Sequence, residues 1–251
     1  MRTMRAGVIA ALLLTVVGLL GSGCDRASTK LTGSGGDEPV ADAAPARPIL
    51  VTQEWGVVDG MLSVVVRNTT DRTLRSAAGV ITARDRNDVL IVSSLEAQDG
   101  VCCSVVDLPP GQEFGLYVDV GDAAEEISRV DVAYRDVAWA SADESQPSTL
   151  EVRPVQLDGN GRGAVVVAKV HTDEPMVAQA SVQAFLDGPD GTFLAVVAGR
   201  WYCFSQGTHE IRMQLLHPVP AGTTVDRVVI HPVADDPDGT ALNCAGPAEA
   251  G

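Results

Sequence analysis

The chain has 251 residues, and its 33 acidic residues against 18 lysines and arginines give a formal net charge of −15 at neutral pH. This balance argues against a nucleic-acid-binding protein, which needs a basic surface to meet phosphates. Only Lys30 and Lys169 are lysines, and with abundant Ala, Gly and Val this preference for arginine indicates the codon bias of a GC-rich bacterium, such as an actinobacterium.

Residues 1–23 are predicted to form a signal peptide. Arg2 and Arg5 make a cationic start, an apolar run covers residues 8–20, and small residues follow it. That order of segments is typical of secretory signals. The apolar run is about 13 residues long, whereas a membrane-spanning helix needs roughly 20. Cleavage would remove two arginines and no acidic residue, so the mature chain would be still more acidic.

The end of this segment, Leu19 to Cys24, resembles the lipobox of bacterial lipoproteins. That family implies cleavage before Cys24, acylation of its thiol (as with palmitate) and a lipid anchor on the extracytoplasmic face of the cell membrane. More than one acyl chain is needed for stable anchoring, and a lipoprotein cysteine carries more than one. The family prefers leucine three residues before the cysteine, where this chain has Gly21. Simple secretion with Cys24 as a free thiol is therefore the alternative.

Residues 24–48 are predicted to be a flexible tether that starts at the lipidated cysteine. They are rich in Ser, Thr, Gly, Asp, Ala and Pro and offer almost nothing large to bury. Such a segment cannot offset the entropy lost on ordering. Its root-mean-square reach would be roughly 25–30 Å.

Residues 49–139 are predicted to form the first β-sandwich domain. Met61–Val66 is a run rich in β-branched residues, and residues 114–120 and 130–134 alternate between apolar and polar side chains. Alternation with a period of two is typical of half-buried strands. Clusters of Asn, Asp, Pro and Gly separate these runs and predict turns.

Residues 149–245 repeat the pattern of the first segment at an offset of roughly 100 residues, which indicates duplicated domains rather than a solenoid. The matches are Ala164–His171 with Met61–Asn68, 182–187 with 80–85, Ile211, Met213 and Leu215 with Phe114, Leu116 and Val118, and Val228 and Ile230 with Val130 and Val132. The polar residues 140–148 are predicted to link the two copies, and residues 246–251 to form a tail.

The predicted fold is therefore all-β, with two tandem immunoglobulin-like β-sandwiches after the signal peptide and a disordered tether. The copies resemble the FxLYD type of immunoglobulin-like domain found in bacterial lipoproteins. The matching residues are Val66-Arg67-Asn68, Asp85 to Asp88, Leu108 to Gly111 and Phe114 to Tyr117. The second copy lacks the aromatic pair. The resemblance implies a fold rather than an activity.

Four cysteines follow Cys24, and an even number in an exported chain favours disulfides. Cys203 occupies the same interval of the repeat as Cys102 and Cys103, and only the second copy has a cysteine near its C-terminus. We therefore predict Cys203–Cys244 and a vicinal Cys102–Cys103 bridge, among three possible pairings. Because there is no C-x-x-C spacing, no zinc site is predicted.

Trp201, Tyr202 and Phe204 form an aromatic cluster around Cys203. One interpretation is a contact surface for a partner, since Trp and Tyr are enriched at interface hot spots. The other is packing of the core against the disulfide. Strand alternation predicts Trp201 and Cys203 on one face and Tyr202 and Phe204 on the other.

No catalytic residue, metal site or cofactor is predicted, because no nucleophile, phosphate-loop or metal-ligand motif stands out. His171 and His231 could together form a metal site, but the pattern favours exposed polar residues on strands. The acidic loops 85–88 and 235–238 could bind calcium, but solvated turns are favoured there as well.

The anchor, the tether and the duplication favour a non-enzymatic binding or scaffold module for a protein partner in the cell envelope. One alternative is a ligand- or metal-binding accessory lipoprotein of a transporter or sensor. Another is a thiol–disulfide redox protein that uses Cys102 and Cys103.

Overall fold

The computed structural model describes residues 48–95, 103–141, 150–160, 163–233 and 244. The predicted signal peptide, Cys24, nearly all of the tether, Cys102, most of the linker and the tail lie outside this part. Its strands confirm the all-β prediction, with one short 3-10 helix, Gly121–Glu126, among the described residues. No helix in the described ranges is long and apolar enough to cross a membrane.

The first half of the chain forms two antiparallel sheets around one core. In one sheet β2 lies between β1 and β6, and in the other β3 pairs with β4, β5 and β7. Leu62, Val64 and Val66 of β2 pack with Ile81 and other buried side chains of the second sheet. The strands are β1 Leu50–Val58, β2 Met61–Asn68, β3 Leu74–Arg84, β4 Leu90–Ser93, β5 Ser104–Leu108, β6 Glu113–Asp119 and β7 Arg129–Trp139.

The second half is built from fewer and longer strands than predicted. The strands are β8 Leu150–Asn160, β9 Gly163–Asp187, β10 Phe193–Leu215 and β11 Thr224–Pro232. The start of β9 pairs with β8 and the end of β10, and the end of β9 pairs with β11 and the start of β10. Val166 and Val182, from the two ends of β9, belong to one buried cluster. The sheet therefore bends over itself and encloses its own core.

Each half uses the same pairing scheme, but the repeat register differs from the sequence comparison by one residue. Val64 lies opposite Leu116, and Val166 lies opposite Met213. The sequence comparison matches Val64 with Val167 and Leu116 with Met213, so these two matches differ by one residue from the pairing in the second half. In β2 almost every position is buried. A run without alternation carries no signal for register.

The two halves lie within one compact unit. One face of the β1–β2–β6 sheet packs against the sheet formed by β11, the end of β9 and the start of β10. Val65 of the first half forms a buried cluster there with Phe185 and Val196 of the second half. The boundaries predicted for two separate domains, at 49–139 and 149–245, stay a prediction.

Candidate functional site

A side-chain amide joins the two halves at the centre of their contact. Gln183 on β9 is only 2% exposed. Its Oε1 accepts the Gly115 N–H at 2.7 Å, and its Nε2 donates to the Gly115 carbonyl at 2.8 Å. Because Gly115 lies on the edge of its sheet, the amide takes the place of a neighbouring strand.

Two glycines allow the backbones of the halves to meet. A Cβ atom at Gly115 would lie 2.5 Å from Val196 Cγ1, and one at Gly56 would lie 2.6 Å from the Leu194 carbonyl oxygen. The Val196 N–H donates to Ser63 Oγ at 3.1 Å within the same contact. Glycine is required here by space and not by backbone conformation.

Arg227 on β11 forms ion pairs with carboxylates from both halves. Its guanidinium donates to Glu113 at 2.9 Å, to Glu54 at 3.0 Å and to its neighbour Asp226, and it lies 4.5 Å from the centroid of the Phe185 ring. Burial lowers the pKa of Arg227, but the hydrogen bonds to Glu54 and Asp226 outweigh it and hold the pKa above the usual value. The cation therefore stays charged and paired.

His231 is a buried histidine in the same interface. Its Nε2 donates to the Glu113 carbonyl at 2.9 Å, and its ring stacks on Phe114 with centroids 6.1 Å apart. Burial lowers the pKa of His231, and its hydrogen bond to Glu113 only partly opposes this. The imidazole is therefore neutral at pH 7.

A cleft opens where β6 and the two ends of β10 diverge. Its volume is about 830 Å³, and its lining includes Met61, Tyr117, Arg200, Gln214 and Leu216. Tyr117 is 45% exposed and Leu216 is 73% exposed. Because Gly115 and Val196 also line it, the cleft begins at the contact between the halves, and its walls are fixed by that contact.

The predicted Cys203–Cys244 bridge is confirmed, with Cα atoms 5.2 Å apart. Cys103 is also disulfide-bonded, and its partner lies outside the described residues. It is only 5% exposed and contributes to the lining of the cleft. Since Cys102 lies outside the described residues, the Cys102–Cys103 bridge stays a prediction.

The aromatic cluster does not alternate as the sequence predicted. Trp201 packs against the same core that buries Phe204, which is 4% exposed. The predicted placement of Tyr202 and Phe204 on one face is therefore wrong. Cys203 between them has a φ of 59°, which interrupts regular alternation. Of the three aromatic candidates for partner contact, Tyr202 is the one with a largely exposed side chain, at 51%.

The histidines considered for a metal site have different surroundings. His171 lies 3.3 Å from the Asp173 carboxylate and 3.0 Å from Thr208 Oγ1, whereas His231 is in the interface between the halves. The described ranges contain no group of three side chains placed to hold a metal ion.

In the acidic loop at residues 85–88, backbone N–H groups donate hydrogen bonds to the Asp85 carboxylate. The Asp85 carboxylate accepts the N–H groups of Val89 and Asn87, and the bond from Val89 is the main cause of its lowered pKa. Asp88 pairs with Arg129 at 3.0 Å. These contacts are those of a solvated turn. The second acidic loop, residues 235–238, lies outside the described residues.

Sequence reasoning missed the residues that join the halves. The available signals were Gly56 and Gly115 inside strand patterns, which often mark a close backbone approach. Gln183 within the apolar run 182–186 was a further signal, since a buried amide needs partners. None of these signals predicts which part of the chain packs against these residues.

No family model matches the chain, and no curated protein matches it. Two solved structures of Bacteroides uniformis beta-glucuronidase 2 are weakly similar. One, a calcium-binding mutant, has 13% identity and a TM-score of 0.20. The other, covalently bound to cyclophellitol-6-carboxylate aziridine, has 16% identity and a TM-score of 0.19. Each alignment covers 64% of this chain and 22% of the other. The chain thus spans about a fifth of their length, and a likeness at this level carries no functional argument.

Proposed function

We propose that this chain is a lipid-anchored, non-catalytic binding module of the bacterial cell envelope, which captures a protein partner at the cleft between β6 and β10. The observation that carries the proposal is the cleft itself. Exposed aromatic, cationic and apolar side chains (Tyr117, Arg200 and Leu216) line it. Buried hydrogen bonds between Gln183 and Gly115 fix its walls. A pre-formed surface of this kind lowers the ordering cost of binding.

The cleft extends along β6 from one end of the first sheet to the other. The described chain enters the first sheet at Leu50, which lies opposite Asn68. Met61 and Asp119, which line the cleft, pair with each other at the other end of that sheet. A strand of this length separates the two ends by roughly 25–30 Å. The lining also includes Phe114, which lies opposite Val66, the partner of Thr52 near the start of β1, so the cleft reaches both ends of this sheet.

Site-specific photo-cross-linking in the native envelope tests the proposal. A photoreactive residue is placed at Tyr117 or Leu216 in the cleft, and at Val137 as an exposed control on β7. We expect a discrete cross-linked envelope protein from the cleft positions and not from the control. Identical products at Val137, or no product from either cleft position, would contradict the proposal.

The anchor is tested separately by replacing the predicted acylation site. The Cys24→Ser variant should lose incorporated palmitate and leave the membrane fraction, and capture of a membrane-bound partner should fall with it. A variant that stays in the membrane would remove the lipid anchor from the proposal. If the cleft captures no protein, titration with small ligands and metal ions would test the accessory-lipoprotein alternative.

A further inference from the structure

The outer edge of β10 beside the cleft has no neighbouring strand among the residues that the structure describes. Among the described residues β10 pairs only with β9. The Val196 N–H donates to Ser63 and so faces away from β9. Because polar groups alternate between the two edges of an antiparallel strand, the N–H and C=O groups of Ala198, Arg200 and Tyr202 face the same outer edge. In the described part of the chain no residue pairs with them.

Side chains along this edge are partly or fully exposed in the described part of the chain. Ala198 and Arg200 line the cleft, and Arg200 and Tyr202 are exposed. A row of free backbone donors and acceptors is a template for another strand, and natural proteins normally cover such edges. The equivalent groups of Gly115 on β6 are covered by Gln183. Among the described residues no such cover lies on the outward-facing groups of Ala198, Arg200 and Tyr202, and the disulfide places Cys244 next to this stretch, at Cys203.

The positive charge of Arg200 beside the edge favours an added strand with an acidic side chain. The Arg200 guanidinium has no hydrogen bond or ion pair with any described residue. Arg227, another arginine of the same sheet, is paired with three carboxylates. An exposed guanidinium without a carboxylate partner among the described residues favours a carboxylate on the added strand.

We propose that an extended peptide segment with an acidic side chain adds to β10 as a further strand. Its backbone pairs with Ala198, Arg200 and Tyr202, and its carboxylate binds the Arg200 guanidinium. This mode of recognition combines backbone hydrogen bonds for affinity with side-chain contacts for specificity. The inference rests on the proposed binding function and names the chemistry of its ligand.

Selection of peptides tests the inference without knowledge of the natural partner. A displayed library of random 12-residue peptides is panned against the full-length protein in detergent. Enriched peptides should be rich in β-branched residues and carry Asp or Glu, and replacing that acid with its amide should weaken binding about tenfold or more. No enrichment over the bare support would overturn the inference.

Substitutions at one exposed position separate charge from backbone pairing. Arg200→Gln keeps the N–H and removes the charge, and should cost about tenfold in affinity. Arg200→Glu should change the selected peptides from acidic to basic. Arg200→Pro also removes the outward N–H, and should bind about three- to tenfold more weakly than Arg200→Gln. Proline is tolerated on a strand edge, and unfolding midpoints verify that each variant folds.

A second pair of variants covers the case in which Arg200→Pro does not fold. Tyr202→Pro and Tyr202→Val both remove the aromatic ring, and only the proline removes the N–H. Equal peptide binding by both variants, or by Arg200→Gln and Arg200→Pro, would overturn strand addition. If the envelope partner still cross-links at Tyr117 in the proline variants, the binding function stands and strand addition fails.

Discussion

Gln183 and Gly115 form a two-way amide pair across the contact between the halves, at 2.7 and 2.8 Å. The Gln183 side chain thus supplies hydrogen-bond partners for the N–H and C=O of Gly115, which lies on the edge strand of the other half. The bonds form only if Gln183 lies directly opposite Gly115, so the positions of the two sheets are coupled. Four experiments probe this contact and the elements around it.

Replacing Gln183 with leucine should destabilise the protein. Leucine keeps most of the volume but leaves the N–H and C=O of Gly115 without partners. Each buried group that loses its partner costs about 1–3 kcal/mol, so we expect a loss of about 2–5 kcal/mol in the free energy of unfolding. Urea denaturation measures the change. Gln214→Leu, at an exposed position of the cleft, should change stability by less than about 0.5 kcal/mol. Equal effects would show that Gln183 does not support the contact.

Gly115→Ala should destabilise the protein by about 1–3 kcal/mol, because the new methyl group meets Val196 at 2.5 Å. In an open strand position the same change would be stabilising, since alanine loses less backbone entropy than glycine. A double-mutant cycle with Val196→Ala isolates the clash. The second substitution should relieve part of the cost, with a coupling of about 1–2 kcal/mol. If the effects of the two substitutions simply add, the loss of stability in Gly115→Ala does not come from a clash with Val196.

The buried His231 predicts a loss of stability in acid. Its pKa is lowered from 6.5 by burial, so the unfolded chain binds its proton more readily than the folded protein. The stability that it contributes is full above pH 6.5 and falls as the pH drops from that value toward the folded pKa. Unfolding midpoints between pH 7.5 and 5 measure the slope.

His231→Gln keeps a donor for the Glu113 carbonyl and has no group that titrates in this range. The variant should therefore show a flatter dependence on pH than the parent. If parent and variant have the same slope, other groups determine the acid response.

The Cys203–Cys244 bridge should stabilise the second half of the chain. It closes a sequence separation of 41 residues. Constraint of the unfolded chain by a loop of this size is worth about 3–4 kcal/mol. The double variant Cys203→Ala/Cys244→Ala should show that loss in urea denaturation without forming new thiols. A loss below about 1 kcal/mol would indicate that the bridge constrains the tail without supporting the fold.

The candidate site was only partly predictable from sequence. Spacing within the repeat was enough to pair Cys203 with Cys244. It was not enough to place Phe204, because the left-handed backbone at Cys203 turns the strand and no periodic pattern shows such a residue in advance. The cleft was missed because its walls come from strands that are about 80 residues apart in the chain, such as those that carry Tyr117 and Arg200.

The sequence by itself determined the all-β class, the positions of most strands and turns, and one disulfide. These features depend on local alternation, turn chemistry and spacing, and each can be read within a short window. Only the tertiary structure decided the register of the strand pairs, the joining of predicted short strands into β9 and β10, and the approach of the two halves at Gly115. Those outcomes depend on which surfaces meet, and burial of a continuous apolar run fixes neither its register nor its partner.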